Sequence, residues 1–189
     1  MRDNRLLIAA KALAGVSLGV ALWWSCAAPY NELLCGLAEP LLRSTERSPV
    51  TRLRPVNGEI AIDRIDFRRG SARPALATGH LTANIILLTA LFATNRRPMS
   101  VRNLASFALA AMILVAIHIL AVIANVKSIY AFDLGDWSAR NYGPAARTFW
   151  ESATNFYTLA GAFGSAFLLW WLMRPSAPHS GARPQAASR

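Results

Sequence analysis

The sequence predicts an all-α membrane protein whose four transmembrane helices carry a periplasmic β-hairpin and an interfacial amphipathic helix. Three observations predict it. Four apolar runs, 6–28, 76–94, 101–126 and 152–173, each reach or approach the roughly 20 helical residues that cross a hydrocarbon core of about 30 Å. Only 16% of the residues are charged and the mean hydropathy is positive, unlike an ordinary soluble domain. Between the first two runs, a polar and β-branched stretch flanks Asn57-Gly58, the dipeptide a type I′ hairpin turn prefers. With 189 residues, the spans form a single domain, 1–173, followed by a tail.

The first run opens with Arg2, Arg5 and Lys11 and closes on Trp23-Trp24, whose indoles suit the headgroup level. Bulky tryptophans just before Cys26-Ala27-Ala28 favour an anchor over a cleaved signal peptide. Cys26 and Cys35 match neither a redox nor a zinc spacing. If helical, the segment between them spans roughly 13 Å, too far for a bridge without a bend at Pro29. In the insert 29–75, Leu33, Leu34, Leu37 and Leu41 recur at helical spacing. Residues 31–43 therefore read as an amphipathic helix on the outer leaflet, or as a bent extension of the first span.

A hairpin over 51–67 follows, with Pro55 confining the first strand to an edge. The apolar pattern slips from Ile60 and Ile62 to Ile65 and Phe67, which predicts a bulge near Asp63-Arg64. A two-stranded hairpin is marginal alone in water. A surface or partner is therefore expected to cover Asn57, Gly58, Ile60, Ile62, Ile65 and Phe67, and a free strand edge can accept an incoming chain.

The remaining runs hold the buried polar side chains: His80, Asn84, His118, Asn125 and Asn155, all toward one end of their spans. Polar groups at such depth read either as functional or as hydrogen-bonding glue between helices. A joint polar pocket is the functional candidate. Haem ligation by His80 and His118 fits poorly, because their depths differ by about 6 Å. No nucleophile elbow, phosphate-cradling glycine loop or zinc motif appears, so neither a catalytic residue, a metal nor a cofactor is assigned. Asp133 and Asp136, in the loop 127–151, are too few for a cation site. Gly161, Gly164 and Ser165 let another helix approach the fourth span.

The net charge of +10 suggests nucleic acid until it is located. Most of the excess lies at the N-terminus, in the loop Arg96-Arg97…Arg102 and in the tail 174–189, so it reports topology. The fourteen residues after Ala28 hold no Lys or Arg, although Arg68, Arg69 and Arg73 pull the other way. Both termini are therefore expected in the cytoplasm, with the chain in a bacterial inner membrane. The Pro-, Ala- and Ser-rich tail is expected to be disordered.

Over the first half, the order of features resembles the small integral membrane proteins associated with exosortases. The shared layout is a first span with Trp23-Trp24, an Ala28-Pro29 exit, a leucine-rich helix through Leu41-Leu42 and a short β segment before a second span. Ala124-Asn125-Val126-Lys127-Ser128-Ile129 is also similar to the Ala-Asn-x-x-Arg-Ile stretch of exosortases, but Ser128 replaces the arginine and their cysteine motif is absent. The resemblance implies a non-enzymatic accessory subunit of a membrane complex in envelope protein sorting or export, partnered by the lipid bilayer and another integral membrane protein. The alternative is a membrane enzyme or cofactor-binding protein using the His/Asn pocket.

Overall fold

A computed structural model describes residues 2–46, 50–65 and 73–174. Phe67 and the tail beyond Arg174 lie outside the described residues. The chain is mostly helical with one small antiparallel sheet.

Helix α1, Arg2–Ser44, runs 43 residues, about 64 Å at 1.5 Å per residue. It continues through Pro29 and Pro40, although each proline removes a backbone hydrogen bond. Packing compensates: Leu34, Ala38 and Leu42 are fully buried in the core beneath the sheet. Residues 31–43 are thus the unbroken end of α1 rather than a separate surface helix. Cys26 and Cys35 are both free on this one helix.

The sheet has the order β1-β2-β3, formed by Thr51–Val56, Glu59–Arg64 and Ala75–Ala77. Asn57 (φ 50°) and Gly58 (φ 83°) supply the two positive φ angles of the expected tight turn. Replacing Gly58 with valine is expected to cost about 1–2 kcal/mol, because a β-branched residue resists that conformation. Denaturant unfolding in detergent, followed by tryptophan fluorescence, measures it. The expected bulge is absent: the register runs unbroken from Val56↔Glu59 to Thr51↔Arg64. The inward sequence Ile60, Ile62 continues with Arg64, which is buried, while Ile65 lies exposed. An arginine simply occupies the third inward position. Strand β3 was not expected, and it pairs Leu76 with Ile60.

The edge of β1 is closed by the end of α1 and the turn that follows it. Glu39 accepts from the Leu53 N–H (2.9 Å), Arg43 donates to the Thr51 carbonyl (2.7 Å), and Glu46 accepts from the Thr51 N–H (3.3 Å). Pro55 has no N–H to offer. An incoming strand therefore has few free groups to pair with here.

Three helices are long and apolar enough to cross a membrane: 5–44 of α1, α4 (Val101–Phe132) and the continuous helix Pro144–Met173. The run 76–94, expected as one crossing, is divided. Leu76 belongs to β3, then α2 (Gly79–Thr82) and α3 (Asn84–Ala93) follow, giving a shorter apolar helix over Gly79–Ala93. The loop 127–151 is also more helical than expected. Helix α4 extends to Phe132, α5 spans Asp136–Asn141, and α6 (Pro144–Phe156) starts on a proline suited to a first helical turn. A π-helical turn, Tyr157–Gly161, joins α6 to α7 (Ala162–Met173).

Helix α3 packs against α1, α4 and α7. Gly15 and Gly19, one turn apart on α1, make the closest approach. A Cβ at Gly15 would lie 2.7 Å from Ala90 Cα, and one at Gly19 would lie 2.9 Å from Ile86 Cα. By contrast, Gly164 has open space around it. A second apolar cluster, including Leu88, Phe92, Leu114 and Leu169, fills the space between α3, α4 and α7.

Candidate functional site

Of the five polar residues expected to form a pocket, the fold brings two together. His118 Nε2 lies 2.8 Å from Asn84 Oδ1, and both side chains are fully buried. His80 is exposed, Asn155 is exposed, and Asn125 turns back onto its own helix, donating to the Ala121 carbonyl (2.8 Å). Tyr30, which the sequence did not single out, completes the group: its hydroxyl lies 2.5 Å from His118 Nδ1.

The protons in this chain can be placed by elimination. Asn84 Nδ2 faces the Ala162 carbonyl (2.8 Å), which can only accept, so the amide orientation is fixed and Oδ1 must accept. His118 then donates from Nε2, its Nδ1 is the acceptor, and Tyr30 O–H donates to it. Ser165 Oγ lies a further 3.4 Å from Asn84 Nδ2. The result is a directional chain, Tyr30 to His118 to Asn84 to Ala162, linking α1, α4, α3 and α7. The rings of Tyr30 and His118 meet edge to face at 5.8 Å.

Local irregularities position this chain. The backbone between α2 and α3 loosens at Ala83, just before Asn84, and Tyr157 O–H donates to the Leu81 carbonyl there (2.7 Å). Tyr157 begins the π turn, so that turn both satisfies the break and delivers Ala162 to Asn84. Nearby, Trp23 donates to Thr82 Oγ1 (3.0 Å), which makes it a tie between helices.

A second polar knot closes the opposite end of the bundle, where α7 ends. Lys11 donates to the Asn95 carbonyl (3.3 Å), Asn95 donates to Asn103 Oδ1 (2.5 Å), and Trp170 donates to Asn95 Oδ1 (3.2 Å). The two knots bracket the apolar cluster between the helices.

Both imidazole nitrogens of His118 are engaged, so this arrangement leaves none for a haem iron. Among the described residues, no three His, Cys, Asp or Glu side chains converge to hold a metal ion. Of the hairpin residues named as a contact surface, Ile60 and Ile62 are fully buried in the protein's own core, whereas Asn57, Gly58 and Ile65 are exposed.

A polar concavity lies elsewhere, at the sheet end of the bundle. It is a half-open cavity of about 630 Å³, whose wall includes Glu46, Arg64, Lys127, Arg140, Trp137 and Tyr142. Arg64 is stacked between the rings of Tyr130 (5.0 Å) and Trp137 (4.8 Å) and bonds Glu46 at 3.4 Å. Glu46 also accepts from the Thr51 hydroxyl and Thr51 N–H, and Thr51 Oγ1 in turn lies 2.7 Å from the Tyr130 hydroxyl. Burial, reinforced by the neighbouring Tyr130 and Glu46, pushes the Tyr142 hydroxyl up to about 12, so it stays a proton donor. Sequence reading missed this cavity because its residues come from separate elements, with no spacing to link them.

Comparison with protein-family models, curated proteins and solved structures gives no match to this chain.

Proposed function

We propose that this chain is a non-enzymatic accessory subunit of a bacterial inner-membrane complex, acting in exosortase-linked envelope protein sorting or export. In this reading α2 and α3 make a fourth, short crossing, both termini lie in the cytoplasm, and the sheet stands in the periplasm. The basic loop Arg96-Arg97…Arg102 supports that orientation.

One observation carries the non-enzymatic reading: His118 and Asn84 are buried, and both imidazole nitrogens are spent on Asn84 and the half-buried Tyr30. A catalytic imidazole needs a nitrogen within reach of a substrate proton. Here the same bonds tie four helices together, the role of polar glue in a membrane bundle. The partner contact falls to the exposed side of the sheet, around Asn57, Gly58 and Ile65.

A photo-crosslinking amino acid at Ile65, in native membranes, is expected to give one adduct with a larger integral membrane protein identifiable as an exosortase or another envelope-sorting component. Deleting the Asn57-Gly58 tip is expected to abolish co-purification of that protein. A chain that purifies alone, with no adduct from any exposed sheet position, overturns the proposal.

A further inference from the structure

The cavity at the sheet end holds a buried cation with no direct partner among the described residues. Lys127 is more than nine-tenths buried and lines the cavity, yet among the described residues it makes no hydrogen bond or salt bridge. Among the described residues the one carboxylate in the wall, Glu46, bonds to Arg64 and to Thr51. Arg140, also in the wall, spends its Nε on the Asp136 carbonyl (3.2 Å), which does not neutralise it. Glu46 reaches Lys127 only as a longer-range charge, so the ammonium keeps no direct partner among the described residues. A desolvated ammonium without a counterion is costly, unless an anion arrives to balance it.

The neutral part of the wall narrows the choice of anion. Asn141 and the Tyr142 hydroxyl add uncharged donors beside the cations. Several acceptor oxygens on a compact, multiply charged group fit this set better than a single carboxylate does, and lysine serves phosphate well as a point charge. Trp137, Tyr142 and Trp150 in the wall are the residue types that sit at lipid-headgroup level. Lys127 itself lies close to the end of the apolar helix α4.

We infer that the cavity around Lys127, Arg64 and Arg140 is a binding site for a phosphate group, and that the headgroup of an anionic phospholipid is its source.

The test uses the purified full chain in a neutral detergent, with thermal unfolding and native mass spectrometry as readouts. Three probes are added separately: phosphatidylglycerol, phosphatidylcholine and inorganic phosphate. Phosphatidylglycerol is expected to raise the melting temperature and to remain bound in the mass spectrum, and phosphatidylcholine to do neither. Lys127→Met nearly preserves shape and removes the buried charge. It is therefore expected to unfold at a higher temperature than the wild type without lipid, while binding phosphatidylglycerol about tenfold more weakly. Arg102→Gln, at the other end of the bundle, is expected to leave that affinity unchanged. Stabilisation by inorganic phosphate equal to that by the lipid, and lost in Lys127→Met, supports the phosphate site but assigns it to a soluble phosphoester. Equal binding of both lipids, or unchanged phosphatidylglycerol binding in a folded Lys127→Met protein, overturns the inference.

Discussion

Replacing Gly15 with leucine is expected to prevent α1 and α3 from docking and to remove the assembled protein from the membrane. The added Cβ would meet Ala90 Cα and Ala93 Cβ at 2.7 Å, and the Thr89 carbonyl oxygen at 3.2 Å. Two of these neighbours are backbone atoms, which cannot swing aside as a flexible side-chain end can. Even Gly15→Ala, one carbon larger, is expected to cost about 1–3 kcal/mol by overpacking. Gly36→Ala is the control: that glycine has nothing within 4 Å, and alanine favours an exposed helix, so stability is expected to hold or rise slightly. Thermal unfolding in detergent and protein level in membranes report both outcomes. Equal stability of Gly15→Leu and Gly36→Ala would show that α1 does not sit against α3 as described.

The second large effect is expected at His118. Leucine there removes the acceptor for Tyr30 O–H and the donor to Asn84 Oδ1, stranding the buried Asn84 amide and the half-buried Tyr30 hydroxyl. At about 1–2 kcal/mol for each, the loss is about 2–4 kcal/mol. The sign of non-additivity distinguishes a clamp from a reaction site. Tyr30→Phe combined with His118→Leu strands fewer groups than His118→Leu alone and is expected to recover part of the lost stability. Unfolding midpoints of the two single variants and the double variant form the cycle. A His118→Leu protein with wild-type stability but no biological activity would instead favour the enzyme reading.

Patterns set by neighbouring residues were legible in the sequence. The Asn57-Gly58 turn and both strands beside it follow from backbone preference and alternation, and the long apolar runs follow from composition. Asn84 and His118 were legible because polar atoms inside apolar helices need partners. Their third partner was not, since Tyr30 follows Pro29 at what looked like the end of a span, where a tyrosine ordinarily meets the headgroups. The expected bulge failed for a related reason. Hydrophobic alternation treats an arginine as outward, whereas Arg64 turns inward onto Tyr130 and Trp137. Strand β3 hid inside an apolar run because its pairing depends on β2, more than ten residues earlier. The π turn has no local signature; only the break beside Leu81, on another helix, gives it a purpose.

The shortness of the apolar helix Gly79–Ala93 also bears on the lipid around the protein. Its fifteen residues measure about 22 Å, against a hydrocarbon thickness of about 30 Å. If this helix serves as a crossing, lipids beside it must compress to meet it, while those beside α1 and α4 can keep their full depth. The bilayer would then be dented on one flank only, giving the protein a preferred direction in the plane of the membrane. A neighbour with its own thin flank would lower the total deformation by settling there.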